Sequence, residues 1–326
     1  MAAGFKQATV DSSKVAGTLT NYPAFVDLSR IGITTQAEAD SVRVYSDASK
    51  TTELAREIVS VNEMHVKIPS LTTTTTIYVD YDGVRSNYAN TDTYGRNAVW
   101  TGYDIVLHCA SLTDSTGKHT ITETGTVAYG TGKIGNGFSI PNTANYPLAS
   151  DASDIRYTGD MYYSAWLKRN SNTTRDSPFS KGQPWTSTTG YWMHFNETNN
   201  VIINKPNTSY SNVVLGILDV TSALTHFVYK KTASTNMKVY SNGSLLNTVT
   251  TNATGAFGTN TNAMRIGNRT DGNDYWDGIL DEQRFSATLY SDNWITTEYN
   301  NQNDESTFWG TWTNVSTFTP QAMWFM

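Results

Sequence analysis

The sequence predicts an all-β protein made of two tandem antiparallel β-sandwiches. Three observations lead there. Apolar residues fall in short runs that alternate with polar ones, the period of a half-buried strand. The composition is dominated by Thr, Ser, Asn and Gly, with 19 Tyr, 9 Trp and only 16% charged residues. Thr and aromatic side chains suit a pleated surface, and Asn and Gly suit turns. Finally, 326 residues are too many for one ordinary sandwich and enough for two.

Strand signals begin with Phe25-Val26-Asp27-Leu28 and Val42-Arg43-Val44-Tyr45. Ile58 to Val61, Met64 to Ile68 and Ile77 to Tyr81 follow, and the Thr72–Thr76 run reads as a turn entering the last of these. Thr35 to Asp40 is the one helical candidate among them, long enough for a turn or two. Asn87 to Asn97 is polar, turn-rich and aperiodic, so the first sandwich is expected over residues 1–98.

The second block, residues 99–307, is also all-β. Met161, Tyr163, Ala165 and Leu167 alternate on one face, and Tyr191, Met193 and Phe195 on another. Asn242-Gly243 supplies the positive φ pair of a two-residue type I′ turn, which predicts a hairpin over Lys238 to Leu246. Met264 to Gly267 and Gly278 to Phe285 are further strands, and Ser291 to Tyr299 reads as a helix capped by Ser291 or Asp292. Residues 308–326 form an aromatic segment carrying Phe308, Trp309, Trp312, Phe318, Trp324 and Phe325. Two readings of it stand open. It is a last strand or strap on its own domain, or Trp309, Trp312, Phe318, Trp324 and Phe325 anchor the chain in an assembly.

Charge excludes one class of partner. With 23 Lys+Arg against 29 Asp+Glu, the net charge is −6, and no basic run exceeds two residues, so nucleic-acid binding is not expected. No apolar stretch is long enough to span a bilayer, and Met1 to Gln7 contains no signal-peptide core. The single cysteine, Cys109, excludes an intrachain disulfide and reads as a small buried hydrophobe.

Six landmarks in order tie the second block to a known family. They are Asp114 to His119, Gly132 to Ile140, Tyr163 to Leu167, Leu224 to Tyr229, Val239 to Leu245, and Ile266-Gly267-Asn268 followed by Trp276 to Phe285. Together the block resembles the laminin-G-like, concanavalin-A-like lectin/glucanase superfamily, which implies a jelly roll. The first block, through Asn21 to Leu28, Ala37 to Tyr45, Glu53 to Ile58 and Ile77 to Tyr81, resembles a small β-sandwich domain of unknown function found ahead of such lectin-like domains. Glu298 to Asn303 is also similar to the closing segment of that pair. The resemblance implies a phage-encoded or bacterial surface protein.

Catalysis finds no support in the motifs. Glucanase members of the superfamily carry two carboxylates spaced along one strand. Here Asp281 and Glu282 are adjacent, which on a regular strand turns them to opposite faces, and Arg284 two residues on is the expected partner of Glu282. The five histidines show no local metal-ligand spacing. For a structural Ca²⁺, which lectin-like jelly rolls often carry, Asp271, Asp274, Asp277 and Asp281 are the candidates, against a plain Asx-rich turn. For carbohydrate, which needs an aromatic platform beside hydrogen-bonding groups, the candidates are Trp185, Trp192, His194, Tyr275 and Trp276.

The expected function is therefore a non-catalytic virion structural or surface protein: a phage fibre, decoration or receptor-binding subunit. It would be made in the host cytoplasm, self-associate, meet other virion proteins and bind cell-surface glycans. A secreted or cell-surface bacterial carbohydrate-binding protein is the alternative, and a glycan-cleaving enzyme a third.

Overall fold

The computed structural model describes residues 3–182, 189–204, 212–233, 235–250 and 255–316. Its strands pair antiparallel in four sheets. Two belong to the N-terminal part. A five-stranded sheet runs in the order Thr313–Asn314, Gly4–Thr9, Thr76–Tyr81, Arg43–Tyr45, Glu53–Leu54. A three-stranded sheet joins Leu19–Asp27, Glu63–Leu71 and Arg56–Ser60. Ala24, Val26, Val44, Val66, Ile77 and Val79 are buried together in one core cluster. The Thr run is the turn its composition predicts: Thr72 N–H donates to Thr75 Oγ1 at 2.8 Å, and the strand begins at Thr76. The short helix Gln36–Asp40 is closed by a capping box between Thr35 and Glu38.

The C-terminal part is a jelly roll of two larger sheets. The eight-stranded sheet is centred on Asp277–Ser286 and Met161–Arg169, flanked by Thr225–Thr232 and the hairpin Asn236–Ser241/Ser244–Val249. The seven-stranded sheet runs Asn212–Ile217, Asn200–Asn204, Tyr191–Phe195, Asp176–Lys181, Met264–Ile266, Tyr146–Ala149, Ile121–Thr124. Met161, Tyr163, Ala165 and Leu167 meet Tyr191, Met193 and Phe195 in the core between the sheets, as their alternation requires. Asn242 and Gly243 take φ of 48° and 76°, the pair expected of the hairpin turn.

The central strands of the eight-stranded sheet, Met161–Arg169, Thr225–Thr232 and Asp277–Ser286, are buried on both faces. Tyr162, Val228 and Tyr240, on the sheet's second face, belong to the same core as the N-terminal sheets. The helix Asp292–Asn303, capped by Ser291, lies in this interface. Asn301 accepts from Phe25 N–H and donates to Phe25 O at 2.7 and 3.0 Å, tying helix to N-terminal strand. The chain then returns to the first sandwich. Val10 bridges Trp309, and Thr313–Asn314 pairs with Gly4–Thr9.

That return corrects the assembly-anchor reading of Trp309. Trp309 is fully buried and donates its indole N–H to Phe25 O at 2.9 Å, so its contact area is spent inside the chain. Trp312 is half-buried against Trp309 at 6.3 Å. Phe318, Trp324 and Phe325 lie outside the described residues.

Candidate ligand-binding groove and the buried domain interface

Three loops meet at one end of the jelly roll. The first, 170–175, leads into strand Asp176–Lys181. The second, 196–199, leaves strand Tyr191–Phe195 through a turn in which Asn196 Oδ1 accepts from Thr198 N and Asn200 N. The third, 267–276, joins Met264–Ile266 to Asp277–Ser286 and is folded tightly by Gly272 and Asp274, at φ 83° and 50°. Between them lies a groove of about 350 Å³ lined by Asn142, Thr173, Thr174, Arg175, Glu197, Asn273, Asp274 and Tyr275.

Arg269 organises the wall of this groove. Its guanidinium makes a bidentate pair with Asp271 at 2.7 and 2.6 Å, reaches Asp274 at 2.9 Å and lies over the Trp192 ring at 5.1 Å. Trp192 in turn stacks on His194 at 4.3 Å. Burial, with Arg175 and Arg269 nearby, pushes His194 down to about 3, so its ring is neutral.

The carbohydrate candidates thus separate. Tyr275 is half-exposed in the groove. Trp192 and His194 are buried and are not platforms for a ligand; Trp192 instead lies under the Arg269 guanidinium. Trp276 is in the jelly-roll core, its N–H donated to Lys168 O at 3.2 Å, and is likewise unavailable. Trp185 lies outside the described residues.

The four calcium candidates do not converge. Asp271 and Asp274 are engaged by Arg269. Asp277 accepts from Asn170 Nδ2 at 3.0 Å. Asp281 is turned to the glycine-rich loop before Asn136–Pro141, where Lys133 N and Ile134 N donate to it at 2.7 and 3.0 Å. The geometry supplies Asx-turn and ion-pair partners rather than a shared ligand set. Arg175, Glu197, Asn273 and Asn142 were not singled out from the sequence, because isolated polar loop residues carry no local signal of convergence.

A second polar assembly is buried between the sandwiches. Glu57, Glu63 and His65 come from the three-stranded sheet, and His108, Glu282 and Arg284 from the jelly-roll side. A bulge places Glu282 and Gln283 opposite Ala165 alone, with Glu282 at φ 50°. Glu282 Oε1 lies 2.5 Å from His108 Nδ1, and Arg284 bridges Glu282 and Glu298 at 2.5 and 2.6 Å, so the partner expected two residues on is the one found. Glu57 accepts from Trp100 Nε1 at 2.5 Å and Ser115 Oγ at 2.7 Å, and lies 3.1 Å from His108 Nε2. Burial works against a charge on His108, but Glu282 and Glu57 outweigh it and raise the ring well above its ordinary value.

An antiparallel jelly roll with ligand-sized space among its end loops is the architecture of a lectin-like domain. Residues 141–296 match the concanavalin A-like lectin/glucanases superfamily, and the C-terminal part carries that fold. Among solved structures, one similar chain is domain 4 of AbnA, a GH43 extracellular arabinanase from Geobacillus stearothermophilus, in complex with arabinotriose. It shows 20% identity over 60% of this chain and 96% of that one, with a TM-score of 0.47. The binding domain of botulinum neurotoxin DC, in complex with rat synaptotagmin II, shows 14% identity over 62% and 52%, with a TM-score of 0.47. A botulinum neurotoxin type C structure, concerned with entry through two ganglioside molecules, shows 14% over 65% and 53%, at 0.48. The chain thus spans about half the length of the neurotoxin chains. No curated protein matches it.

Proposed function

We propose that this protein is a non-catalytic, glycan-binding surface protein whose ligand occupies the groove around Tyr275. One observation carries the reading: a half-exposed tyrosine ring stands among Arg175, Glu197, Asn273, Thr173 and Thr174 in a groove of oligosaccharide-subsite size. Sugars bind by stacking a ring's apolar face on an aromatic while hydroxyls meet amide, hydroxyl and charged groups. Asp274, the more buried groove carboxylate, is paired with Arg269 at 2.9 Å and lies 3.9 Å from Arg175, yet burial, helped by Asp271 and Glu197, still raises its carboxyl above the ordinary value. The non-catalytic reading therefore rests on the absence of the family's spaced carboxylate pair from the strand sequence. The shared core of the two sandwiches suits a structural subunit, and we place it on a virion surface, with a bacterial cell surface as the alternative.

A glycan array probed with the wild type, Tyr275→Ala and Arg175→Ala tests the reading. Each variant should weaken binding to the array's best ligand at least about tenfold, roughly the loss of one stacking or charge-assisted contact. Undiminished binding by both variants, or release of free sugar on incubation with the bound glycan, would overturn it. Finding the protein in purified phage particles by mass spectrometry would support the virion placement over the cell-surface one.

A further inference from the structure

We propose that Glu63, His65, His108 and Glu282 form a site for a first-row transition-metal dication, with zinc the best fit, that staples the two sandwiches together. One ligand-capable atom from each of the four lies within 4.8 Å of all the others. Two come from each side of the interface: Glu63 and His65 from the strand Glu63–Leu71, His108 and Glu282 from the jelly-roll side. Their side chains are 0% to 4% exposed.

The spacing suits a small ion. Donor atoms about 2.0–2.1 Å from a tetrahedral centre stand roughly 3.3 Å apart. Glu63 Oε1 lies 3.2 Å from His65 Nε2 and 3.4 Å from His108 Nδ1. The pair His108 Nδ1 and Glu282 Oε1, at 2.5 Å, would open by less than about 1 Å to admit the ion.

Three further features point the same way. Glu63 Oε2 and His65 Nδ1, the second polar atoms of two of the four side chains, are buried without a hydrogen-bond partner, so the protein alone does not satisfy either side chain fully. Glu57, Glu63 and Glu282 bring three carboxylates to the imidazoles, while the guanidinium nearest them, Arg284, is shared with Glu298. Outside the donor set, Glu57 faces His108 Nε2 and is itself fixed by Trp100 and Ser115. This is the carboxylate-imidazole arrangement that leaves the other ring nitrogen for a metal. Two imidazoles favour zinc or a neighbouring transition metal and disfavour Ca²⁺ or Mg²⁺, which take oxygen ligands. Glu63 also lines a groove with Lys133, Gly135 and Gln302, which gives an ion a route in.

The test uses the whole chain, stripped with a chelator and dialysed. Co²⁺ titration should produce a visible absorption band of four-coordinate intensity that saturates at one equivalent and collapses when Zn²⁺ is added. One equivalent of Zn²⁺ should raise Tm by several degrees. His65→Ala, checked for an unchanged far-ultraviolet circular dichroism spectrum, should lose both effects. Tyr275→Ala, remote in the loop groove, should keep them. A folded wild type that gives neither band nor Tm shift at stoichiometric metal overturns the site, whatever the variants do. So does a folded His65→Ala that binds like the wild type.

Discussion

Arg284 shows what a single residue does here. Its guanidinium is buried and bridges two buried carboxylates, Glu282 and Glu298, drawn from a strand and from the helix packed on it. Removing one member of such a group strands the remaining charges away from water. Arg284→Met should therefore cost about 3–5 kcal/mol of unfolding free energy in urea titration, the range for breaking a buried pair by deleting one partner. A loss under about 1 kcal/mol would mean the interface is wetter than described. Half of this was legible in the sequence, since Glu282 and Arg284 stand two apart on a strand. Glu298 was not, because its approach depends on how the helix docks. The same limit hid the metal-site donors. Glu63 and His65 lie two apart on one strand, which by itself is no metal signature, and His108 and Glu282 join them only when the two sandwiches meet.

At the scale of elements, the strands and turns named from the sequence followed from short-range rules, while others, among them Asp176–Lys181, Asn200–Asn204 and Asn212–Ile217, were not named. The Asn242-Gly243 hairpin, the Thr35 cap and the Ser291 cap are encoded by residues within a few positions of each other. The strand Thr313–Asn314 has no such signature, because its partner Gly4–Thr9 lies at the opposite end of the chain. This returning segment is fastened partly by Glu305, 2.6 Å from Arg30. Burial raises the Glu305 carboxyl to about 7 even though Arg30 opposes the shift. The folded protein then keeps a proton that the unfolded chain releases near 4.5. Across that window the folded state binds more protons, so this group lowers stability as pH rises, and the effect levels off above about 7. Glu305→Gln has no such titration. Urea unfolding should show its stability, relative to wild type, climbing through the window and then reaching a plateau. A relative decline with pH would show that the Arg30 pair outweighs burial.

For the molecule as a whole, the consequence of the architecture is that the eight-stranded sheet serves two cores. Met161 to Leu167 is buried throughout, with alternate residues facing the jelly roll and the first sandwich. The all-β class and the jelly roll were legible from alternation and ordered landmarks. The breadth of the interface was not, because residues such as Tyr162, Trp166 and His226 look like the polar-side positions of a solvated sheet until a second domain covers them. With that face closed, the loop end around Tyr275 is where the proposed ligand groove lies. Trp192, His194 and Trp276 show why the sequence named too many aromatics for that role: composition identifies aromatic residues, while burial decides which can stack.

Hydrogen–deuterium exchange with and without the best array glycan addresses that division of labour most directly. Protection is expected at Thr173 to Arg175, Glu197 and Asn273 to Tyr275, with the strands of the domain interface unchanged. Protection concentrated between the sandwiches, or on the N-terminal sheets, with the end loops unaffected, would contradict it.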